Sequence, residues 1–103
     1  MRENQFQKEL IKEIKDLFKG CFVLKNDPSY IQGFPDLLIL YKDRWAALEC
    51  KRSMRATRQP NQEYYVELLD SLSYASFICP ENKEEVLNEL QRSFRTRRST
   101  RIS

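Results

Sequence analysis

Two carboxylates and a lysine stand in the sequence at a spacing that suits phosphate chemistry. Asp36 comes directly before one apolar run of strand-forming residues, and Glu49 and Lys51 lie at the end of the next run. The polar pair Lys42-Asp43 separates the two runs and predicts the tip of a β-hairpin. In an antiparallel hairpin with that tip, Asp36 lies opposite Glu49, and Lys51 points to the same face as Glu49.

Opposed carboxylates repel one another, because directly paired side chains lie only about 4.5 to 5.5 Å apart at Cβ. A divalent hard cation removes that repulsion, and Mg²⁺ commonly takes one or two carboxylates with the remaining ligands from water and phosphate. Such an ion polarises a phosphate and acidifies a bound water, while Lys51 adds positive charge where negative charge develops. The pattern predicts Mg²⁺-dependent phosphodiester hydrolysis, with Mn²⁺ as a substitute and no small-molecule cofactor.

The alternative is an ordinary ion pair of Glu49 and Lys51 on an exposed strand, with Asp36 as a polar residue at a strand start. Exposed strands rarely contain runs as apolar as the two that surround these residues. The sequence therefore favours a buried pair of carboxylates.

The pair Pro35-Asp36 followed by Glu49-Cys50-Lys51 resembles the PD-(D/E)xK signature of a nuclease superfamily. The lead-in Gly33-x-Pro35-Asp36 is similar to that of the VRR-NUC family within it. The resemblance covers nearly the whole chain up to about residue 94 and implies a restriction-endonuclease-like core. This agrees with the order α-β-β-β-α-β-α that hydrophobic periodicity predicts, an α/β fold with a mixed central sheet flanked by helices. We expect one nuclease domain over residues 1–94 and a basic C-terminal tail over 95–103.

The resemblance also implies that the Cys50 main-chain carbonyl is a metal ligand and that an acid from the first helix completes the site. The helix start, Arg2-Glu3-x-x-Phe6-Gln7, is similar to that of the family. At about 100° per residue, Glu3 points close to the centre of the apolar face, whereas Glu13 lies at its edge and Glu9 farther towards solvent. Glu3 is the predicted ligand, Glu9 and Glu13 are alternatives, and a helix-start acid favoured by the macrodipole is an equal interpretation of Glu3.

A glutamine is the fourth predicted catalytic residue. Pro60 opens a helix, and Gln62 lies near its start on the flank of the apolar face. Its amide can orient the attacking water or hold a phosphate oxygen. The segment from Gln59 to Gln62 resembles the Gln-containing motif of the family, and Gln59 points farther from the core face. The alternative is an exposed helix glutamine without a role.

The net charge of +3 is unevenly distributed. Directly after Lys51 come three arginines and no acid, and five arginines follow Glu89, the last acid of the chain. A phosphate backbone that enters an acidic metal centre needs positive flanks, so these cations predict DNA contacts. The alternative is that these arginines lie in a solvated loop and a solvated end of the chain. The predicted DNA-binding residues are Arg52, Arg55, Arg58, Arg95, Arg97 and Arg98.

Composition excludes several classes of site and protein. The chain has no histidine and three widely spaced cysteines, which argues against structural zinc and His-dependent catalysis. The cysteines, Cys21, Cys50 and Cys79, have the surroundings of small core residues. No apolar run approaches the roughly 20 residues of a membrane span, and no signal-peptide pattern is present. We expect a cytoplasmic protein of a bacterial or phage-infected cell, without membrane contact.

The function that these patterns predict is a Mg²⁺-dependent, structure-selective DNA endonuclease. Minimal members of the resembled family are similar to virus-borne enzymes that cut four-way (Holliday) junctions, and two coordinated cuts require a homodimer. Two alternatives remain at this point. One is a non-catalytic nucleic-acid-binding module, and the other is a PD-(D/E)xK nuclease that acts on linear DNA.

Overall fold

The computed structural model describes residues 1–95 and has the predicted α/β architecture and element order. A helix comes first, an antiparallel three-stranded unit follows, and a helix, a strand and a helix complete the chain. The elements are α1 (Glu3–Leu17), β1 (Phe22–Lys25), β2 (Leu37–Tyr41), β3 (Arg44–Cys50), α2 (Pro60–Leu72), β4 (Tyr74–Ile78) and α3 (Lys83–Arg95).

The four strands form one mixed sheet in the order β1-β2-β3-β4. β2 and β3 are antiparallel and pair Tyr41 with Arg44, which confirms the predicted hairpin register. Lys42 at the hairpin tip has a φ of 56°, a left-handed conformation that tight two-residue turns require. β4 pairs parallel to β3, because α2 carries the chain back to the end of the sheet at which β3 begins.

Helices cover both faces of this sheet. α1 and α3 pack on the face that carries Leu48 and Cys50, where they form the larger core. α2 packs on the opposite face, against Ala47 and Phe77. Side chains alternate between the faces of a strand, so Glu49 and Lys51 point towards the α2 face.

Different elements lie at the two ends of the sheet. α2 and α3 begin beyond the carboxyl ends of β3 and β4, the same end at which Asp36 precedes β2. At the other end, Tyr41 and Lys42 of the hairpin tip line a cavity together with Phe94 and Arg95. α3 therefore ends far from Asp36, and the tail arginines Arg97 and Arg98 lie outside the described residues.

The cysteines occupy the core as predicted, with one difference. Cys50 and Cys79 are buried, whereas Cys21 is half-buried at the entrance to β1, and all three are free thiols. Among residues 1–95, no helix is long and apolar enough to cross a membrane.

Candidate active site

The hairpin brings the two predicted carboxylates together. Leu37 pairs with Leu48, and continuation of this register by one residue places Asp36 opposite Glu49. The Asp36 Oδ2 atom accepts a hydrogen bond of 2.8 Å from the Cys50 main-chain N–H. Glu49 is only 4% exposed. This burial excludes the alternative of an ordinary ion pair on an exposed strand.

Lys51 and Gln62 complete the arrangement on the α2 side. The Lys51 Nζ atom donates to Gln62 Oε1 at 2.8 Å and lies 3.9 Å from Glu49 Oε2. The Gln62 Nε2 atom donates to the same Glu49 oxygen at 3.0 Å. Gln62 thus connects the acid and the lysine, and it does so from the first turn of α2. Gln62 is half-buried rather than exposed, and its catalytic role stays a prediction.

Gln59 contributes to the geometry without facing the carboxylates. Its main-chain N–H donates to Gln62 Oε1 at 3.0 Å, and the two residues form a reciprocal capping box at the start of α2. Such a box fixes the first helical turn. Gln62 is therefore both the third-position member of this capping box and a partner of Glu49.

The two carboxylates hold their protons unusually strongly. Burial raises the pKa of Asp36 above its ordinary value, although the Cys50 N–H and the Lys51 charge oppose the shift. Burial, and then repulsion by Asp36, raises the pKa of Glu49 to about 8. One lysine at 3.9 Å from Glu49 does not offset the buried Glu49 together with the half-buried Asp36. The site therefore favours the binding of additional positive charge.

The donors fit a hard divalent cation. Mg²⁺ needs only one or two protein carboxylates, because water and phosphate oxygens complete its coordination. Asp36 and Glu49 supply those carboxylates. A strand residue directs its N–H and C=O towards the same neighbour, and the Cys50 N–H faces Asp36. The Cys50 carbonyl therefore points to the side on which Asp36 lies, as a third ligand must.

Glu3 lies near this pair but does not join it as a third close ligand. Burial, followed by the charge of Asp36, raises the Glu3 pKa, and Lys51 and Arg52 oppose the shift. Within residues 1–95, however, no three Asp, Glu, Cys or His side chains are close enough to hold one ion. The reason is topological, because α1 packs on the face of the sheet opposite to that of Glu49.

The other two acids of α1 have different partners. Glu13 forms an ion pair with Lys83 of α3 at 2.9 Å. Glu9 accepts a hydrogen bond from Gln5 at 3.3 Å. Of the three acids that the sequence left open, Glu3 is the one that interacts with Asp36.

The predicted DNA-binding arginines fall into two groups. Arg52 lines a cavity with Glu3 and Arg2 beside the carboxylates, so this part of the surface carries two guanidinium groups. The charge of Arg55 acts on Glu81, and the Arg58 guanidinium lies 4.0 Å from the centre of the Phe77 ring. Arg95 lies apart from these three arginines, at the far end of the sheet beside the hairpin tip.

Three contacts of the site were not foreseen in the sequence. The Thr57 carbonyl accepts a second hydrogen bond from Lys51, at 2.9 Å. Burial raises the pKa of the Cys50 thiol, and the Gln7 side chain, one turn after Glu3, opposes that shift. Asn61 packs against Gly33 of the loop that precedes β2. The spacing of Glu3 and Gln7 on one helix face was the only signal in the sequence for any of them.

The raised pKa of Glu49 predicts a pH-dependent stability in the absence of metal. The folded-state pKa is about 8 against 4.5 for the free group. The folded state therefore binds the proton more tightly, and stability is lost as the pH rises through this window. We expect the Tm of metal-free protein to fall between pH 5 and about 8. Thermal melts across this range in EDTA measure the effect.

Glu49→Gln is the control for this pH dependence. A glutamine at this position keeps an oxygen acceptor for Gln62 and has no charge to bury. The decline of Tm with pH should be clearly shallower in the variant. An equally steep decline would assign the effect to other groups.

Comparison of the chain with protein-family models, with curated proteins and with solved structures finds no match. The assignment of a function therefore depends on the geometry of the site and on the sequence motifs.

Proposed function

We propose that this protein is a Mg²⁺-dependent DNA endonuclease that hydrolyses phosphodiester bonds, with Mn²⁺ as an alternative ion. The observation that carries the proposal is the convergence of Asp36 and the buried Glu49 with Lys51 and Gln62. A buried acid that is repelled by a second, half-buried acid destabilises a fold that has no use for the pair. A bound cation would offset this loss of stability, and it would act on a phosphate. The resemblance to PD-(D/E)xK nucleases implies the same role for the two acids.

The proposed roles follow from the contacts of each residue. A bound Mg²⁺ would polarise the phosphate and lower the pKa of a coordinated water. Asp36, Glu49 and the Cys50 carbonyl would hold this ion. Lys51 is fixed by the Thr57 carbonyl and by Gln62, which leaves its charge directed beside Glu49. There it stabilises the negative charge that develops on the phosphate oxygens.

The surface around the carboxylates supports a polyanionic substrate. α2 and α3 direct their N-termini towards this end of the sheet, and the partial positive charge of helix N-termini favours phosphate. Arg52 adds formal charge beside Glu3, and Arg55 and Arg58 are exposed on the segment that follows Lys51. Arg95 offers a separate phosphate contact at the other end of the five-residue strand β2, about 17 Å away at the usual rise of a strand.

Branched DNA and a homodimer belong to the same proposal. Paired cuts in a four-way junction need two active sites related by a two-fold axis. β1 is an edge strand, and large apolar residues are exposed beside it on the α2 face of the sheet. A second copy of the chain would bury these side chains and pair the free edge. The residues are Phe22, Leu24 and Leu40.

The test of this proposal compares three labelled substrates of the same sequence, namely a four-way junction, a linear duplex and a single strand. Each is incubated with Mg²⁺, with Mn²⁺ and with EDTA, and Asp36→Ala protein is the control. We expect paired nicks in the junction that require both the ion and Asp36.

The other outcomes decide between the remaining functions. Equal cutting of all three substrates would support a nuclease of linear DNA and reject the selectivity for branches. Binding without cutting, in every ion, would favour the non-catalytic nucleic-acid-binding module. The exposed cations Arg52, Arg55 and Arg58 are the observation that favours this second candidate.

A further inference from the structure

We propose that Gly33 is a positioning residue of the candidate site, and that it acts through a close contact with Asn61. This inference rests on the proposed function, because it concerns the geometry of the same metal-binding carboxylates. It assigns a role to the loop that precedes β2, which the chemistry described above does not use.

Gly33 approaches α2 more closely than any other residue type allows. A Cβ atom at this position would lie 2.5 Å from Asn61 Cγ, 2.7 Å from Nδ2 and 2.8 Å from Cβ. Rotation of the Asn61 side chain relieves the first two contacts. It does not move the Asn61 Cβ atom, which is fixed to the helix backbone. A side chain on residue 33 must therefore displace either the loop or the first turn of α2.

The two residues between Gly33 and Asp36 are also held by contacts of their own. Phe34 packs its ring on Tyr65 of α2, with centroids 5.5 Å apart. Pro35 is fully buried, and its carbonyl accepts a hydrogen bond of 2.6 Å from the Asn26 side chain. Each residue from 33 to 35 is thus held in place, so movement at Gly33 is transmitted to Asp36.

On the other side, Asn61 precedes Gln62, whose amide donates to Glu49. The Cys50 N–H next to Glu49 donates to Asp36. The contacts close a ring that runs from Asp36 through the loop to α2 and back through β3. The members are Gly33, Asn61, Gln62, Glu49, Cys50 and Asp36. This ring sets the separation between the Asp36 carboxylate and the Gln62–Glu49 pair.

The chain contains a matched control for a test of this ring. Gly20 has a φ of 88° and Gly33 a φ of 89°, so an alanine at either position is strained by a left-handed φ of nearly the same value. A Cβ atom at Gly20, however, meets no atom within 4 Å. The difference between Gly33→Ala and Gly20→Ala therefore isolates the contact with Asn61 from the strain of the backbone.

The experiment measures three properties of the two variants and the parent protein. We expect Gly33→Ala to bind Mn²⁺ about tenfold to a hundredfold more weakly by calorimetry, the usual effect of losing a residue that orients metal ligands. Its kcat should fall by about a hundredfold with little change in the KM for DNA. The side-chain amide resonance of Gln62, observed by NMR without metal, should also shift. Gly20→Ala should leave all three unchanged.

A second substitution tests whether Asn61 transmits the effect. Gly33→Ala with Asn61→Gly removes all three close atoms and should restore the Gln62 resonance and the Mn²⁺ affinity. If Gly33→Ala does not fold, Asn61→Ala removes the contact from the other side without strain at residue 33. It should shift the same resonance and lower the Mn²⁺ affinity severalfold.

The readouts separate failure of this inference from failure of the proposed function. An unshifted Gln62 resonance in Gly33→Ala, or an equal shift in Gly20→Ala, would overturn the positioning role whether or not the protein cuts DNA. Parent protein that neither binds Mn²⁺ nor cleaves DNA would overturn the proposed function. The Gln62 resonance would still decide whether Gly33 positions this residue.

Discussion

Asp36→Asn and Glu49→Gln should each lower DNA cleavage by about a thousandfold or more, because a metal ion at a phosphate contributes several kcal/mol to the transition state. Both substitutions keep an oxygen acceptor for the Cys50 and Gln62 donors, so the hairpin should stay intact. DNA binding in EDTA should be unchanged or tighter, since a negative charge near phosphate is lost. Single-turnover cleavage and fluorescence anisotropy on the same junction measure the two effects.

Glu13→Gln is the matched control for these variants. Glu13 is an acid of α1 with a partner of its own, Lys83, on the far side of the core from Glu49. Its substitution should leave cleavage within a factor of about two, as expected for a half-exposed ion pair away from the site. Turnover in Asp36→Asn or Glu49→Gln at the level of Glu13→Gln would remove these two carboxylates from the mechanism.

The pairing of Asp36 with Glu49 could be predicted from the sequence, because it depends only on the local geometry of a hairpin. The tip of the hairpin fixes every pair along β2 and β3, so the polar pair at Lys42 was sufficient to place Asp36 opposite Glu49. The apolar runs around Glu49 likewise predicted its burial. Both inferences need only the period of a strand and the position of a turn.

The position of Glu3 could be predicted only in part from local rules. Helical periodicity placed Glu3 near the centre of the apolar face of α1, and the family resemblance made it the candidate ligand; in the structure the charge of Asp36 acts on Glu3. The periodicity did not indicate the face of the sheet on which α1 packs. That choice depends on the whole core, and it keeps Glu3 from forming one close cluster with Asp36 and Glu49.

The loop before β2 illustrates a second limit. In the sequence, Gly33 stands out only as part of the Gly33-x-Pro35-Asp36 lead-in. In the structure it has a φ of 89° and a close contact with Asn61. The partner was not predictable, since it lies 28 positions away in the sequence on a helix whose orientation only the tertiary fold determines.

Lys51→Met should lower kcat by about 10²- to 10³-fold, the usual effect of removing one preorganised donor from the site of charge development. The KM for DNA should change little, because Arg52 and the neighbouring cations remain. The loss should not come from collapse of α2, because the Gln59 N–H still donates to Gln62 Oε1 after Lys51 is replaced. Steady-state kinetics with Mg²⁺, together with thermal melts, test this prediction.

Lys83→Met removes another half-buried lysine that is paired with an acid, and it serves as the control for Lys51→Met. The two variants should have similar Tm values but very different kcat values, because only Lys51 lies beside Glu49. A loss of stability in Lys51→Met with unchanged kcat would make Lys51 a structural partner of Gln62. In that case the positive charge that the transition state requires would have to come from Arg52, the nearest formal cation on the Glu3 side of the site.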